Sequence, residues 1–141
     1  MLKQILFGSA IIVLTILIHV GFISAAIGFL RRHHQRLTNV AGLPRIASTL
    51  VLATLWLLAA HTASIWLWSF AFLAFGVFDT LEPAVYFSLV AYTTLGFGDI
   101  TLTQDWRILS GMTAVNGLLL FGFSTAFLFE IFAKMRAASA D

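Results

Sequence analysis

Cysteine is absent from the 141 residues, and with it go disulfides, thiolate metal sites and cysteine nucleophiles. Charge is nearly as scarce. Lys, Arg, Asp and Glu make up 10% of the chain, against about 25% in a soluble domain. Hydrophobic residues make up 60% and the mean hydropathy is +0.99, which excludes a water-soluble enzyme or a nucleic-acid-binding domain. The pI near 9.5 rests on eight basic against six acidic groups and gives no argument for a nucleic-acid partner. The few charges are also grouped. Residues 4–30, 46–78 and 108–129 carry none, and each run is longer than the ~20 apolar residues that span a hydrocarbon core. The fold class this implies is an all-α membrane protein with three transmembrane helices.

The first run, Ile5 to Leu30, exceeds a signal-peptide h-region and ends in the basic cluster Arg31, Arg32, Arg36, so it reads as a retained helix. Gly21/Ala25 and Ser24/Gly28 recur at helical spacing; they either admit another helix closely or simply fill an apolar face. Residues 1–45 thus form an N-terminal transmembrane helix and a basic cytoplasmic loop, in which Gly42 and Pro44 end one helix and let the next begin. Residues 46–136 form a second unit, and 137–141 a short cytoplasmic tail. The run Ile46 to Phe78 is longer than a perpendicular helix needs, so it tilts or its last part leaves the span. Trp66, Trp68 and the phenylalanines after them suit an interfacial belt.

From Asp79 the composition changes. Asp79, Thr80, Glu82 and Pro83 have the chemistry of a helix start, with Thr80 as N-cap. The helix from Ala84 to about Thr93 is too short to cross and runs into Thr94-Leu95-Gly96-Phe97-Gly98-Asp99, whose glycines disfavour a helix or strand interior. A half-length helix followed by a glycine-rich stretch between two spans reads as a re-entrant loop, tolerated at membrane depth only where protein or water surrounds it. Ile108 to Phe132 is the third span. If the Arg31 to Arg45 loop is cytoplasmic, that side holds Arg31, Arg32, Arg36, Arg45, Lys134 and Arg136, and the other side only Lys3 and Arg107. The positive-inside rule then places the amino terminus and the re-entrant loop outside and the carboxyl terminus in the cytoplasm.

Glycine adopts positive φ without steric cost, so Gly96 and Gly98 at alternate positions allow a run of carbonyls to face one axis. The carbonyls of Thr94, Leu95, Gly96 and Phe97, with the Thr94 hydroxyl, suit a dehydrated cation. At these residues the sequence resembles the potassium-channel pore-loop family, whose signature T-V-G-Y-G-D stands here as Thr94-Leu95-Gly96-Phe97-Gly98-Asp99. Thr93 precedes it as in the family's T-T pair; Tyr86, Phe87 and Ser88 fall in the pore helix, and Trp106 and Arg107 open the inner helix. Gly117 falls where simple bacterial channels carry a hinge glycine, followed by Phe121, Gly122, Thr125 and Ala126.

The resemblance covers roughly Asp79 to Phe132 and implies a potassium-selective channel that catalyses no chemistry. The selectivity filter would be Thr93 to Asp99, with K+ as the permeating ligand at Thr94, Leu95, Gly96 and Phe97, and the inner-helix hinge and gate would be Gly117, Phe121, Gly122 and Thr125. One copy of the signature supplies a quarter of a ring, so a homotetrameric pore is implied. Its partners would be membrane lipids and copies of itself, with no organic cofactor and no nucleic acid, in a bacterial inner membrane. The alternatives are a non-conducting pore-loop subunit or adaptor of a larger channel, and a weakly selective cation channel.

The departures concern the support behind the filter. Phe97 lacks the family's hydroxyl, and Phe87 stands at the position of its usual indole partner. Val90 replaces a glutamate that pairs with the filter aspartate in some members, which leaves Asp99 without that partner. Elsewhere, Glu130 either faces the pore as an acidic ring or pairs with Lys134 at i,i+4. Asn116 either bonds between helices or lines the cavity. His19 and His61, inside spans, form a proton or metal site or act as neutral hydrogen-bonding residues. His33 and His34 join a basic loop able to meet anionic lipid. The first helix shields the outer helix, binds a partner or sets topology.

Overall fold

The computed structural model describes residues 1–37 and 43–137. The inter-helix connection with Gly42, the tail beyond residue 137, and the side chains of Arg31, His33, His34, Arg36 and Arg45 lie outside the described residues. Four helices run in chain order: α1 (Leu2–Leu37), α2 (Leu43–Ala74), α3 (Leu81–Tyr92) and α4 (Arg107–Ala137), and no strand occurs among the described residues. Leu2–Phe29, Ile46–Ala74 and Arg107–Ala137 are long and apolar enough to cross a membrane.

Several boundaries differ from the sequence expectation: α3 begins at Leu81 rather than Ala84, α4 runs on to Ala137 rather than Phe132, and two further differences concern the ends of α1 and α2. The polar segment after Leu30 continues α1 to Leu37, and α2 begins at Leu43, so most of the expected loop is helical. Arginine, glutamine and leucine are good helix formers, and a helix already nucleated in the membrane extends past its surface. The run to Phe78 is divided. α2 stops at Ala74, Gly76 takes φ +66, and Phe75 to Phe78 turn back toward α3.

α1, α2 and α4 pack side by side. Near one end of the bundle Phe7 meets Phe75 with ring centroids 4.8 Å apart, and Gln4 Oε1 accepts the Ile108 N–H at 3.2 Å. Deeper in, Trp56 donates to the Phe22 carbonyl at 2.8 Å. These contacts make α1 antiparallel to α2 and parallel to α4. Gln4 also satisfies one of the open N–H groups in the first turn of α4. The amino terminus, the start of α4 and the start of α3 therefore share one end of the bundle.

The small-residue pairs of α1 are not what brings the helices together, since Gly21 and Gly28 face open space. Gly8 does that work, its Cα side lying against Met112 and Leu109 of α4. Trp68 is also no belt residue. It is fully buried and its indole donates to Asn116, while Trp66 remains partly exposed. Alternate residues on a helix lie about 200° apart at 3.6 residues per turn, so two tryptophans at i and i+2 face opposite sides.

α3 is the half-length element. Thr80 stands at its N-cap in extended conformation (φ −133°, ψ 158°), without a side-chain capping bond, and Glu82 lies in the first turn, where a carboxylate favours the helix dipole. Its apolar face meets the aromatic cluster of Phe72, Phe78 and Phe87. Twelve residues rise about 18 Å at 1.5 Å each. That carries Tyr92 to the middle of the bundle, beside His61 and Gly117.

Candidate functional site

α3 ends on a side-chain and backbone cap. Thr93 is the C-cap and its hydroxyl donates to the Leu89 carbonyl at 2.7 Å. The Thr94 N–H donates to Ala91 O and the Leu95 N–H to Val90 O, both at 3.0 Å. This pair of bonds is the Schellman arrangement, which requires a left-handed residue just past the cap. Thr94 occupies that position at φ 62°, the one positive-φ residue other than glycine among the described residues. A left-handed L-residue costs roughly 1–2 kcal/mol, so the fold holds Thr94 there against its preference.

Gly96 (φ 56°) and Gly98 (φ 77°) continue the pattern, so positive φ recurs at 94, 96 and 98 with Leu95 and Phe97 between them. This alternation is the backbone condition for successive carbonyls to face one side. The glycines were readable from the sequence as its source; the third member, Thr94, was not, because threonine disfavours this region. Leu95 and Phe97 are 59% and 67% exposed. No carbonyl from Thr94 to Gly98 accepts a hydrogen bond among the described residues. The stretch lies bare along one side of the chain, between the middle of the bundle and the end where α4 begins.

Asp99 closes the loop, and it has a partner that the residue pattern does not announce. Val90 indeed offers no partner, but Tyr86, one turn earlier on the same helix face, donates its hydroxyl to Asp99 Oδ2 at 2.6 Å. That bond holds the Asp99 carboxyl below its ordinary value and raises the Tyr86 phenol above its own. Phe97, in contrast, is 67% exposed and makes no ring contact among the described residues. The Phe87 ring is engaged elsewhere, edge-on to Phe72 at 5.3 Å and against Phe78 at 5.4 Å.

α4 runs unbroken through Gly117 and Gly122. Gly117 sits where the end of α3 crosses the helix, and a Cβ there would collide with the Tyr92 carbonyl and approach its carbon to 2.8 Å. Phe121 stacks on His61 at 4.2 Å and lies near Tyr92. Gly122 faces open space, and the Thr125 hydroxyl turns back to the Phe121 carbonyl. Of the residues proposed for hinge and gate, Gly117 and Phe121 are thus brought against the base of the loop, while Gly122 and Thr125 are not.

Behind Tyr92 lies a buried polar junction. Asn116 bonds between helices: its Oδ1 accepts from Trp68 Nε1 at 2.9 Å, with the Thr15 hydroxyl also at 2.9 Å. The indole only donates, which fixes the amide orientation. His19 Nε2 and His61 Nε2 each lie 2.9 Å from Ser124 Oγ, and His61 Nδ1 lies 3.0 Å from the Tyr92 hydroxyl. Among the described residues no group of three or more His, Cys, Asp or Glu side chains is arranged to hold a metal. Glu130 pairs with Lys134 at 2.8 Å, both side chains being more than half exposed.

A protein-family model described as an ion channel matches residues 48–134, from the second turn of α2 to the last turn of α4. The match includes α3 and the whole of the loop. Neither the curated proteins nor the solved structures contain a match to the chain.

Proposed function

The chain belongs to an ion-channel family, and from that premise we propose that it is a potassium-selective channel in which four copies surround one conducting axis. The observation that carries this reading is the bare row of carbonyls from Thr94 to Gly98, on a backbone whose φ alternates in sign. Irregular backbone at membrane depth cannot face lipid, because each unpaired polar group there costs several kcal/mol. Copies of the same loop, set around an axis, remove that cost by giving the carbonyls a cation to bind. The oxygens of Thr94, Leu95, Gly96 and Phe97 then replace the water shell of K+. The ion moves between successive sites without any bond being made or broken.

α3 supports the same reading. Its carboxyl end, which carries the partial negative end of the helix dipole, stops at mid-depth, where a cation crossing the membrane is least solvated. Six of the eight Lys and Arg residues lie toward the carboxyl-terminal end of the bundle, which favours a topology with the amino terminus and the loop outside and the carboxyl terminus in the cytoplasm. Asp99 then stands at the outer mouth, held by Tyr86. Gly117 and Phe121 serve as the hinge and gate side of α4.

The test is ion flux through the purified chain in liposomes, with potassium and sodium gradients compared for the wild type and for Gly96→Asp. Flux carried by potassium and not by sodium, and abolished in the variant, is the expected result. Equal flux of both cations would make the chain a weakly selective channel. A tetramer that carries no ion would make it a non-conducting subunit.

A further inference from the structure

We propose that His19, Ser124, His61 and Tyr92 form a buried proton-binding relay that links α1 to the end of the pore helix, so that proton uptake closes conduction. The inference rests on the channel reading for its effect on flux, but the relay itself is a property of the helix bundle. Its members come from all four helices: His19 from α1, His61 from α2, Tyr92 from α3 and Ser124 from α4. His19 is 1% exposed and Tyr92 is fully buried. The two imidazole rings lie 4.8 Å apart by centroid.

The hydrogen count defines what the relay can do. Ser124 carries one hydroxyl proton and faces two imidazole nitrogens, so at least one ring must donate to it. When Tyr92 donates to His61 Nδ1, His61 donates through Nε2 to Ser124. Ser124 then donates to His19, or His19 donates to it as well. When the order runs the other way, His19 donates to Ser124, Ser124 to His61, and His61 to the Tyr92 oxygen. In every neutral arrangement His19 Nδ1 is left over, and it is buried without a partner. Wherever His19 donates through Nε2, its Nδ1 holds a free lone pair, and one added proton binds there without breaking any bond in the chain.

A second proton has no place. The two rings are too close for both to carry charge in an apolar interior, so the pair takes up a single proton as a unit. Tyr92 is the third titratable group facing them. Ser64 and Phe121, also at the junction, carry no charge, and no carboxylate, lysine or arginine among the described residues bonds either ring. The nearest such ion pair along α4, Glu130 with Lys134, is exposed and bonded to itself.

The charge acts on the pore in two ways of the same sign. His61 stacks on Phe121, so a positive charge on the pair lies one ring behind the face of α4 and repels cations from the conducting axis. An uncompensated charge in the membrane interior also favours separation of α1 from the other helices. That would release Ser124 and His61 and take away the side-chain anchor of Tyr92, two residues before Thr94. His19 is therefore a positioning residue, and α1 is part of the support of the loop.

The experiment uses the full chain and two readouts. In liposomes, potassium flux of the wild type should fall about tenfold or more as the pH is lowered from 7.5 through the range in which the nitrogen-15 spectra show the pair taking up its proton. His19→Gln retains an amide donor near the Nε2 position but cannot titrate, and it should hold its own flux nearly constant over that range. Ser124→Ala unlinks the two rings but leaves both able to titrate, so it should keep a pH dependence and broaden it, the rings no longer taking up the proton as a unit. In detergent, nitrogen-15 spectra of histidine-labelled protein should show the His19 and His61 signals moving together on uptake of one proton, and independently in Ser124→Ala. A wild-type flux that is flat in pH, or a pH dependence kept in His19→Gln, would overturn the coupling to conduction. Independent titration of the two rings in the wild type would overturn the relay itself. If no variant carries ions, coupled titration in the spectra upholds the relay while the channel reading fails.

Discussion

Thr94 to Gly98 leave their carbonyls bare on the side of the bundle, whereas Asn116, Ser124, His19 and His61, at comparable depth, are buried and bonded to Trp68, Thr15, Tyr92 or one another. Both sets are polar groups in a setting that penalises unpaired ones. The junction solves most of the problem with side chains inside one chain, leaving only His19 Nδ1 and Asn116 Nδ2 unpartnered, at helix–helix contacts where each bond adds of order 0.6 kcal/mol. The loop does not solve it within one chain. On the proposed reading, further copies and an ion complete the polar surface that a single copy leaves open, and that difference separates the supporting part of the molecule from the part proposed to conduct.

The largest effect should come where the two regions touch. Gly117→Ala drives a Cβ into the Tyr92 carbonyl. Backbone cannot yield there as a flexible side chain would, so the expected cost is about 3 kcal/mol or more. It should appear as a loss of thermal stability together with loss of flux. Gly98→Ala should act on the loop alone. Its Cβ meets open space, but φ 77° charges an L-residue roughly 1–2 kcal/mol per chain. The variant should keep its oligomeric mass in detergent and lose discrimination between potassium and sodium, which would sharpen the contrast. Unchanged selectivity would remove the loop backbone from the account.

Trp68→Phe tests the junction from the opposite side. It removes one donor from Asn116 Oδ1 and should lower stability by about 1 kcal/mol, read as a fall in melting temperature with ion selectivity retained.

Tyr86→Phe should leave the fold intact and move a titration. The bonded carboxyl is held below its ordinary value of 3.8, so its stabilising contribution is present above that value and is lost as pH falls through the lowered one. Without the phenol donor, Asp99 should titrate at higher pH than in the wild type, as carbon-13 NMR of the side chain would record. No change would deny the bond its role. Smallest of all, Glu130→Gln breaks an exposed i,i+4 pair and should change stability by no more than about 0.5 kcal/mol.

Much of this was legible in residue order. Three uncharged runs mark the spans, and the half helix starts after Thr80 and ends at Thr93, as helix-start chemistry and the glycines indicated. Glycine at 96 and 98 announced the irregular loop. What was not legible depends on partners far apart in the chain. His19 and Ser124 are separated by 105 residues, and nothing local to either marks the other. Trp68 looked interfacial because an indole suits both a wet boundary and a buried acceptor, and only Asn116 decides between them. Gly117 reads as a flexible point in isolation. In the fold, glycine is needed there because α3 leaves no room for a side chain. The bond from Tyr86 to Asp99 is equally silent in the sequence, because the two lie 13 positions apart across the irregular loop.

The central claim is that the Thr94 to Phe97 carbonyls select potassium. A single-channel recording in a planar bilayer, with potassium on one side and sodium on the other, tests it most directly. The account predicts a reversal potential displaced strongly toward that of potassium. Open channels with a reversal potential near zero under the same gradient would contradict it.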